Sequence, residues 1–434
     1  MKLKKSTKTI LNVAVAVLAV VFIFWLDDNS AQNAMLDSVL QKGAIMAVVA
    51  VSMNLVNGFT GLFSLGQAGF MAIGAYVTAI LTIPVEAVEG VYYVSGMNSG
   101  ILGFKEMIAS SPEWFQSAFP FLALIIGGLV AALFASLIGF AVLRLKSDYL
   151  AIATLGFSEI IRAIFSSPQL DTITNGSYGL SKIPDYPSLF GLPSTLTLYL
   201  VAFLCIGFMV LLIKSSYGRA FKAIREDEIA AESMGISLFK HKESSFVISS
   251  FFAAVAGGLL AMFMRSIEAK TFSVTFTYEI LLIVVIGGIG SVTGSVLAAF
   301  LYTAAKEWWL RFFDSPLTIG GWEVPLFRTG FRMVVFSVLL MVVVLFYRRG
   351  LMGNKEFSWE GFLGFFKRLG LRIGRLFKKR PAAQAAGGET VTEETLAAVQ
   401  AQPQKAPEKE APAEPEAPPE QGAQSEQTPG GDER

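Results

Sequence analysis

The sequence carries one histidine, His241, and one cysteine, Cys205, and that scarcity removes whole classes of chemistry. Zinc clusters, Cys/His nucleophile pairs and bis-histidine haem sites need more of these side chains than the chain owns. A disulfide within the chain is excluded for the same reason. Asp27-Asp28 is the one adjacent acidic pair beside an apolar run, and without a second such cluster a metal-dependent lipid transferase has no ligand set. No Gly-x-x-x-x-Gly-Lys-Ser/Thr occurs, so nucleotide hydrolysis is not this chain's own chemistry. No catalytic residue, metal or cofactor is expected.

What remains is a set of polar groups inside apolar runs. Glu279 is the sharpest, because carboxylates within membrane spans are rare and usually face the bundle interior or a water-filled cavity. Glu159 and Arg162, three residues apart, are expected to neutralise each other near the outer surface. Two glycine-rich interruptions, Asn57 to Gly69 and Gly287 to Ser291, expose backbone within otherwise apolar segments. Asn54, Ser64 and Gln67 belong to the first interruption; Ser291 and Thr293 belong to the second. Broken helices with polar groups at the break are the arrangement that holds a small charged solute in transporters, although glycines also let helices pack closely and both roles can hold together.

These groups need elements that place them in a membrane. Of 434 residues, 53% are hydrophobic and 16% charged, against roughly 25% charge in an ordinary soluble domain. The apolar residues gather into runs long enough to cross a hydrocarbon layer of roughly 30 Å as helices. Residues 9–26 form the first run, with Lys2, Lys4, Lys5 and Lys8 before it, which places the N-terminus in the cytoplasm. A retained anchor is expected rather than a cleaved signal peptide, since no small-x-small site follows Leu26 closely. Further spans are predicted at 39–57, 62–83, 119–143, 148–165, 194–213, 244–265, 277–305 and 331–347. Arg144 and Lys146, the run from Lys214 to Lys242, and Arg348 with Arg349 mark the cytoplasmic side, while the cation-poor loops at 84–118 and 166–193 face outward.

If 277–305 crossed once, Arg348 and Arg349 would be exported, so that segment is predicted to enter and return, turning at Gly287-Gly288-Ile289-Gly290-Ser291. Each half is expected to be about ten residues, too short to cross alone. The fold class expected is all-α integral membrane, with about 8–10 spanning or re-entrant helices and an internal repeat of inverted type relating the two interruptions. Residues 1–38 form an anchor and outer loop, 39–350 the transmembrane domain, 351–380 a basic amphipathic surface helix on membrane lipid, and 381–434 a disordered acidic tail.

Between the sixth and seventh spans lies a loop, residues 214–243, that is long for a connection without a domain of its own. Tyr217, Ala220 or Phe221, Ile224, Glu228, Ala231 and Met234 fall three and four apart, predicting one short amphipathic helix, with Gly235 placed to end it in a left-handed cap. Such a helix outside the membrane needs lipid headgroups or a partner's groove to cover its apolar face. Its alanine-rich face, with acids at 226–228 in a basic frame, argues against simple lipid attachment.

The loop resembles the coupling segment of ABC importer permeases, and more closely that of the branched-chain amino-acid permease family. Ala230, Ala231 and Gly235 match; Ile229 stands where the general motif has glutamate, and the later Ile-x-Leu-Pro is missing, with Glu228 and Glu232 flanking the gap. Asn54-Leu55 through Gly74-Ala75-Tyr76, Asp148 to Gly156, Thr174-Asn175-Gly176 with Gly179, Gly287 to Gly294 and Arg349-Gly350-Leu351-Met352-Gly353 complete a resemblance over about residues 40 to 353. It implies coupling to ATPase subunits through Tyr217, Gly218, Arg219, Arg225, Glu228, Ala230, Ala231, Glu232 and Gly235, and a route for a zwitterionic amino acid past Asn54, Ser64, Gln67, Glu279, Ser291 and Thr293. It also implies a second homologous permease subunit, two cytoplasmic ATPases and a periplasmic substrate-binding protein in the bacterial inner membrane, with both termini cytoplasmic and no nucleic acid. Urea, amide and aromatic-acid permeases share these features. An ion-coupled secondary transporter would explain the broken helices but not the coupling loop.

Overall fold

In lipid every backbone polar group must be satisfied within the protein, and the apolar runs of this chain achieve that as helices. The computed structural model describes residues 5–145, 147–188 and 193–310, and beyond them 318–319, 322–323, 334–335, 337–338, 341, 350–353 and 356. In chain order the helices are α1 (Lys5–Asp28), α2 (Ser30–Asn54), α3 (Gln67–Thr82), α4 (Val85–Val91), α5 (Ser99–Ala109), α6 (Glu113–Val142) and α7 (Ser147–Phe165). They continue as α8 (Asp171–Thr174), α9 (Ser194–Lys214), α10 (Ser216–Glu226), α11 (Glu228–Ser233), α12 (Leu238–Met264), α13 (Val274–Gly287) and α14 (Val292–Glu307). Two-residue strands, Thr318–Ile319 and Trp322–Glu323, pair antiparallel without altering the class.

Among the described residues four helices are long and apolar enough to cross a membrane, and six if each bent pair counts as one span. The bent pairs are α3 with α4, at 119°, and α7 with Pro168–Thr174, at 59°. The protein is an all-α integral membrane protein, as its composition requires. The lipid-facing surface is plain in α9, where Phe203 and Leu211 are 72% and 71% exposed. The core lies where α3 and α12 cross. A methyl group on Gly74 would run into the Ala254 carbonyl, and one on Gly257 into the Met71 carbonyl, so the two backbones touch at small residues.

The segment 277–305 does enter and return. Lys306 of α14 pairs with Glu279 of α13 at the open end of the hairpin, and a Cβ on Gly287 would lie 2.6 Å from the Gly294 backbone at the closed end. The arms are longer than the ten residues expected, 14 and 16, or about 21 and 24 Å at 1.5 Å per residue. α2 runs antiparallel to α14, since Lys42 meets Glu307 at one end and Asn54 meets Ser295 at the other. α2 is therefore parallel to α13. The two interruptions follow helices running in the same sense, whereas an inverted pair would run in opposite senses, so inversion is not what relates them.

Other boundaries differ from expectation for local reasons. The second span continues past Asn54 as a π-helical turn, Leu55–Thr60, ended by Gly61 at φ +79°. Residues 61–66 are then irregular, so the helix expected from 62 begins at Gln67. The fourth span starts earlier than expected, at Glu113, with Pro120 inside it. The loop 84–118 holds α4 and α5, with the amine of Lys105 donating to the Ile80 carbonyl at the end of α3 (2.8 Å). Of the predicted span 331–347 only positions 334–335, 337–338 and 341 are described, all helical. The expected surface helix, apart from residues 351–353 and 356, and the acidic tail lie outside the described residues.

Candidate functional site

The two interruptions meet each other. Asn54, fully buried, donates to the Ser291 carbonyl (2.9 Å) and to Ser295 Oγ (2.8 Å), and its Oδ1 accepts from the Gly290 amide (2.8 Å). Ser291 Oγ caps the start of α14 by accepting from the Gly294 amide (3.1 Å). Glycine is required at 58, where a Cβ would collide with Asn54 Oδ1 and come within 2.6 Å of the Gly290 amide. Asn54 and Ser291, expected along one route, thus stand in one hydrogen-bonded knot. Thr293 sits beside it, donating through Oγ1 to Glu356 (2.7 Å).

Glu356 was not singled out in the sequence. Its carboxylate also accepts from the Val292 amide (2.9 Å) and the Thr293 amide (3.1 Å), the place at a helix start where donors are unsatisfied and negative charge is favoured. Just before it, the Leu351 amide donates to the Ile286 carbonyl (2.7 Å).

The loop expected to couple is two helices rather than one. Asp227, at φ −158° and ψ 113°, leaves the helical region between α10 and α11, and its Oδ1 accepts from the Ile229 amide (2.9 Å) and the Ala230 amide (3.0 Å). An aspartate that caps a new helix ends the old one, a signal hidden by the continuous three-and-four spacing. Gly235 does take the left-handed conformation, φ +84°, with the Ile236 amide bonded to the Ala231 carbonyl (3.1 Å). Gly218, Ala220, Phe221, Ile224 and Ala231 are buried, so Gly218 and Ala231 pack inward rather than face a partner. Glu228 is held by Lys242 (2.6 Å). Tyr217, Arg219, Ala230 and Glu232 are exposed, and so are two apolar side chains absent from the expected set, Ile229 (80%) and Met234 (83%).

Arg225 joins this loop to the knot. Its Nη1 donates to the Gly58 carbonyl (2.8 Å), and its Cα would lie 3.2 Å from a Cβ on Gly61. Lys222 lies 5.5 Å from the centre of the Phe59 ring. Arg225, Lys222, Lys214, Thr293 and Glu356 line a cavity of about 440 Å³ beside the hairpin turn.

Glu279 stands apart from the knot, at the open end of the hairpin. Its Oε1 accepts from Lys306 (2.6 Å), and Lys42 of α2 donates to Glu307 (2.6 Å). All four side chains line a second cavity, of about 210 Å³, together with Met46, Leu260, Met264, Phe276 and Tyr302. Lys42, Lys306 and Glu307 carry no local signal beyond that of flanks to a span; only the hairpin brings them to Glu279. Ser64 and Gln67 join neither place. Ser64 Oγ accepts from the Gly66 amide (3.4 Å); Gln67 donates to Ser249 Oγ (2.8 Å), and its buried Oε1 has no partner among the described residues. Glu159 and Arg162 pair as expected (2.7 Å).

A sequence profile described as "Branched-chain amino acid transport system / permease component" matches residues 35–345. The chain is 34% identical over 339 residues to the high-affinity branched-chain amino acid transport system permease protein LivM of Escherichia coli, covering 71% of this chain and 70% of that protein. It is 22% identical over 330 residues to the corresponding LivH protein of Salmonella typhimurium, covering 72% and 93%. The L-arabinose transport system permease protein AraH of Escherichia coli matches at 32% over 156 residues, 35% of this chain and 45% of that one. No solved structure matches significantly. A profile spanning most of the chain, with a relative of this identity over most of both lengths, fixes the family: the chain belongs to the permease components of branched-chain amino acid transport systems.

Proposed function

We propose that this protein is the membrane-spanning subunit of an ATP-driven importer that brings branched-chain amino acids into the cytoplasm. It works beside a second, homologous permease and receives its motion from separate ATPase subunits docked on α10 and α11. The observation that carries this reading is the Arg225 bond to Gly58, which ties the exposed loop to the one place where both broken segments meet. A partner that shifts α10 therefore pulls on the backbone of the knot, and the hairpin passes that pull on as opening or closing. Ile229 and Met234 are the apolar anchors such a partner would cover.

The basic loop and Arg348-Arg349 set the orientation, with the knot toward the cytoplasm and the Glu279 cavity toward the outside. On this reading a soluble receptor delivers substrate from the outer face. Coverage favours branched-chain amino acids over other solutes, since LivM matches over 71% of the chain and AraH over 35%. The substrate passes Glu279 first and then Ser291 and Thr293, while Asn54, Ser64 and Gln67 shape the backbone it moves along.

The test is reconstitution with the ATPases and receptor in proteoliposomes. The double variant Ile229→Glu/Met234→Glu changes only exposed side chains, so it is expected to stay folded, lose the ATPases on purification and lose ATP-driven leucine uptake. Arg225→Met is expected to keep the ATPases and hydrolyse ATP without uptake. Leucine uptake driven by an ion gradient in the absence of any ATPase would defeat the proposal.

A further inference from the structure

Among the described residues, the cavity at the open end of the hairpin holds two acids and two bases, Glu279 with Lys306 and Glu307 with Lys42. Such charges are costly to group in a partly enclosed space unless each is paired, and here each has a pairing. Their side chains are 17–33% exposed, wet enough to exchange partners. Four apolar side chains, Met46, Leu260, Met264 and Phe276, also line the cavity, among hydroxyl-bearing residues. A space of about 210 Å³ holds roughly seven waters at ~30 Å³ each, the scale of a small aliphatic amino acid.

We infer that this cavity is an entry site for a zwitterionic α-amino acid with an aliphatic side chain. The ligand's ammonium takes the place of Lys306 on Glu279, its carboxylate takes the freed Lys306 amine, and its side chain lies against the methionine and phenylalanine side chains of the lining. The second pair, Lys42 of α2 with Glu307 of α14, offers the same choice of charges beside the first. A zwitterion entering this site leaves the net charge unchanged and replaces ion pairs with ion pairs, whereas an amine or a carboxylic acid alone leaves one group of the quartet unmatched. Methionine, flexible and polarisable, lets one lining fit several branched side chains. This inference rests on the importer reading and adds the residues that read both ends of the substrate.

The experiment uses the assembled importer in proteoliposomes, with Cys205→Ser and Thr275→Cys, at an exposed lining position, in this subunit, labelled from the outer face by a maleimide. L-Leucine is expected to slow labelling, while 4-methylpentanoate, which lacks the amine, and isoamylamine, which lacks the carboxylate, leave it unchanged. Equal protection by all three compounds, or by none while leucine uptake proceeds, overturns the site and leaves the importer reading standing; protection by leucine without ATP-driven uptake does the reverse. The paired neutral variant Glu279→Gln/Lys306→Gln is expected to assemble, lose the protection and raise the half-saturating leucine concentration by about tenfold or more, an energy of about 1.4 kcal/mol or more. The exchanged variant Glu279→Lys/Lys306→Glu restores an ion pair but moves both charges. If it regains protection and uptake fully, the pair is only a structural tie and the inference fails.

Discussion

At its turn end the α13–α14 hairpin is held by backbone groups, a buried asparagine and glycine contacts, whereas at its open end four long charged side chains surround a cavity. The materials differ because the tasks differ. Short groups with no slack transmit a displacement, since moving one breaks several hydrogen bonds together. Long side chains with rotamer freedom can change partners without moving a backbone. The largest contrast is therefore in tolerance. Gly58→Ala forces a methyl group against Asn54 Oδ1 and the Gly290 amide, an overpacking that costs roughly 1–3 kcal/mol. Lys42→Gln removes one member of a pair whose side chains are 31% and 33% exposed, worth about 0.2–1 kcal/mol. Denaturation of the purified subunit is expected to rank them in that order, with uptake nearly abolished by Gly58→Ala. The reverse ranking would break the comparison.

The second prediction concerns Lys105, on the same side of the bundle as the open end. Its amine is buried against the Ile80 carbonyl, and burial pushes its pKa down from 10.5 to about 8. The folded protein therefore gives up this proton at lower pH than the unfolded chain does. The burial penalty is present in full below pH 8 and is relieved as pH rises through that value. Between pH 7 and 9 the stability of the wild type relative to Lys105→Met is expected to rise by roughly 1 kcal/mol, at about 1.4 kcal/mol per unit. A flat difference would show that water reaches the amine, and that this end is looser than its packing indicates.

Much of this contrast was legible in the residues. Charge counting required 277–305 to turn back, and glycines marked where, because cations are not exported and backbone cannot be left bare in lipid. The left-handed Gly235 cap was equally readable. What escaped were facts of partnership between distant positions. Nothing local in Asn54 says that its amide will grip Ser291, 237 positions away, and nothing in Lys42 or Glu307 names the other across 265. The split of the coupling loop at Asp227 was hidden for another reason: a capping aspartate leaves hydrophobic spacing almost undisturbed. Helix direction was implicit in the charges, since a cytoplasmic N-terminus and a cytoplasmic run from Lys214 to Lys242 send both α2 and α13 inward, the parallel sense that excludes an inversion between the two interruptions.

A similarly small effect, and the one that sharpens the comparison most finely, is expected at Glu356. This carboxylate belongs to the turn end yet is on a long side chain, as the charges of the open end are, and is more exposed than they are. Its four bonds at the start of α14, from the Val292 and Thr293 amides and the Ser291 and Thr293 hydroxyls, add a negative charge where the helix favours one, worth about 0.3–1 kcal/mol. Glu356→Gln keeps one acceptor oxygen and removes the charge, so stability is expected to fall by no more than that, and less at high salt. Uptake tells the two roles apart. If the turn end acts as one stiff unit, a charge at its rim is a fastening, and uptake falls only in proportion to stability. If Glu356→Gln instead uncouples ATP hydrolysis from uptake while stability holds, the segment from Gly350 to Glu356 takes part in the movement, and stiffness at the turn depends on a side chain able to let go.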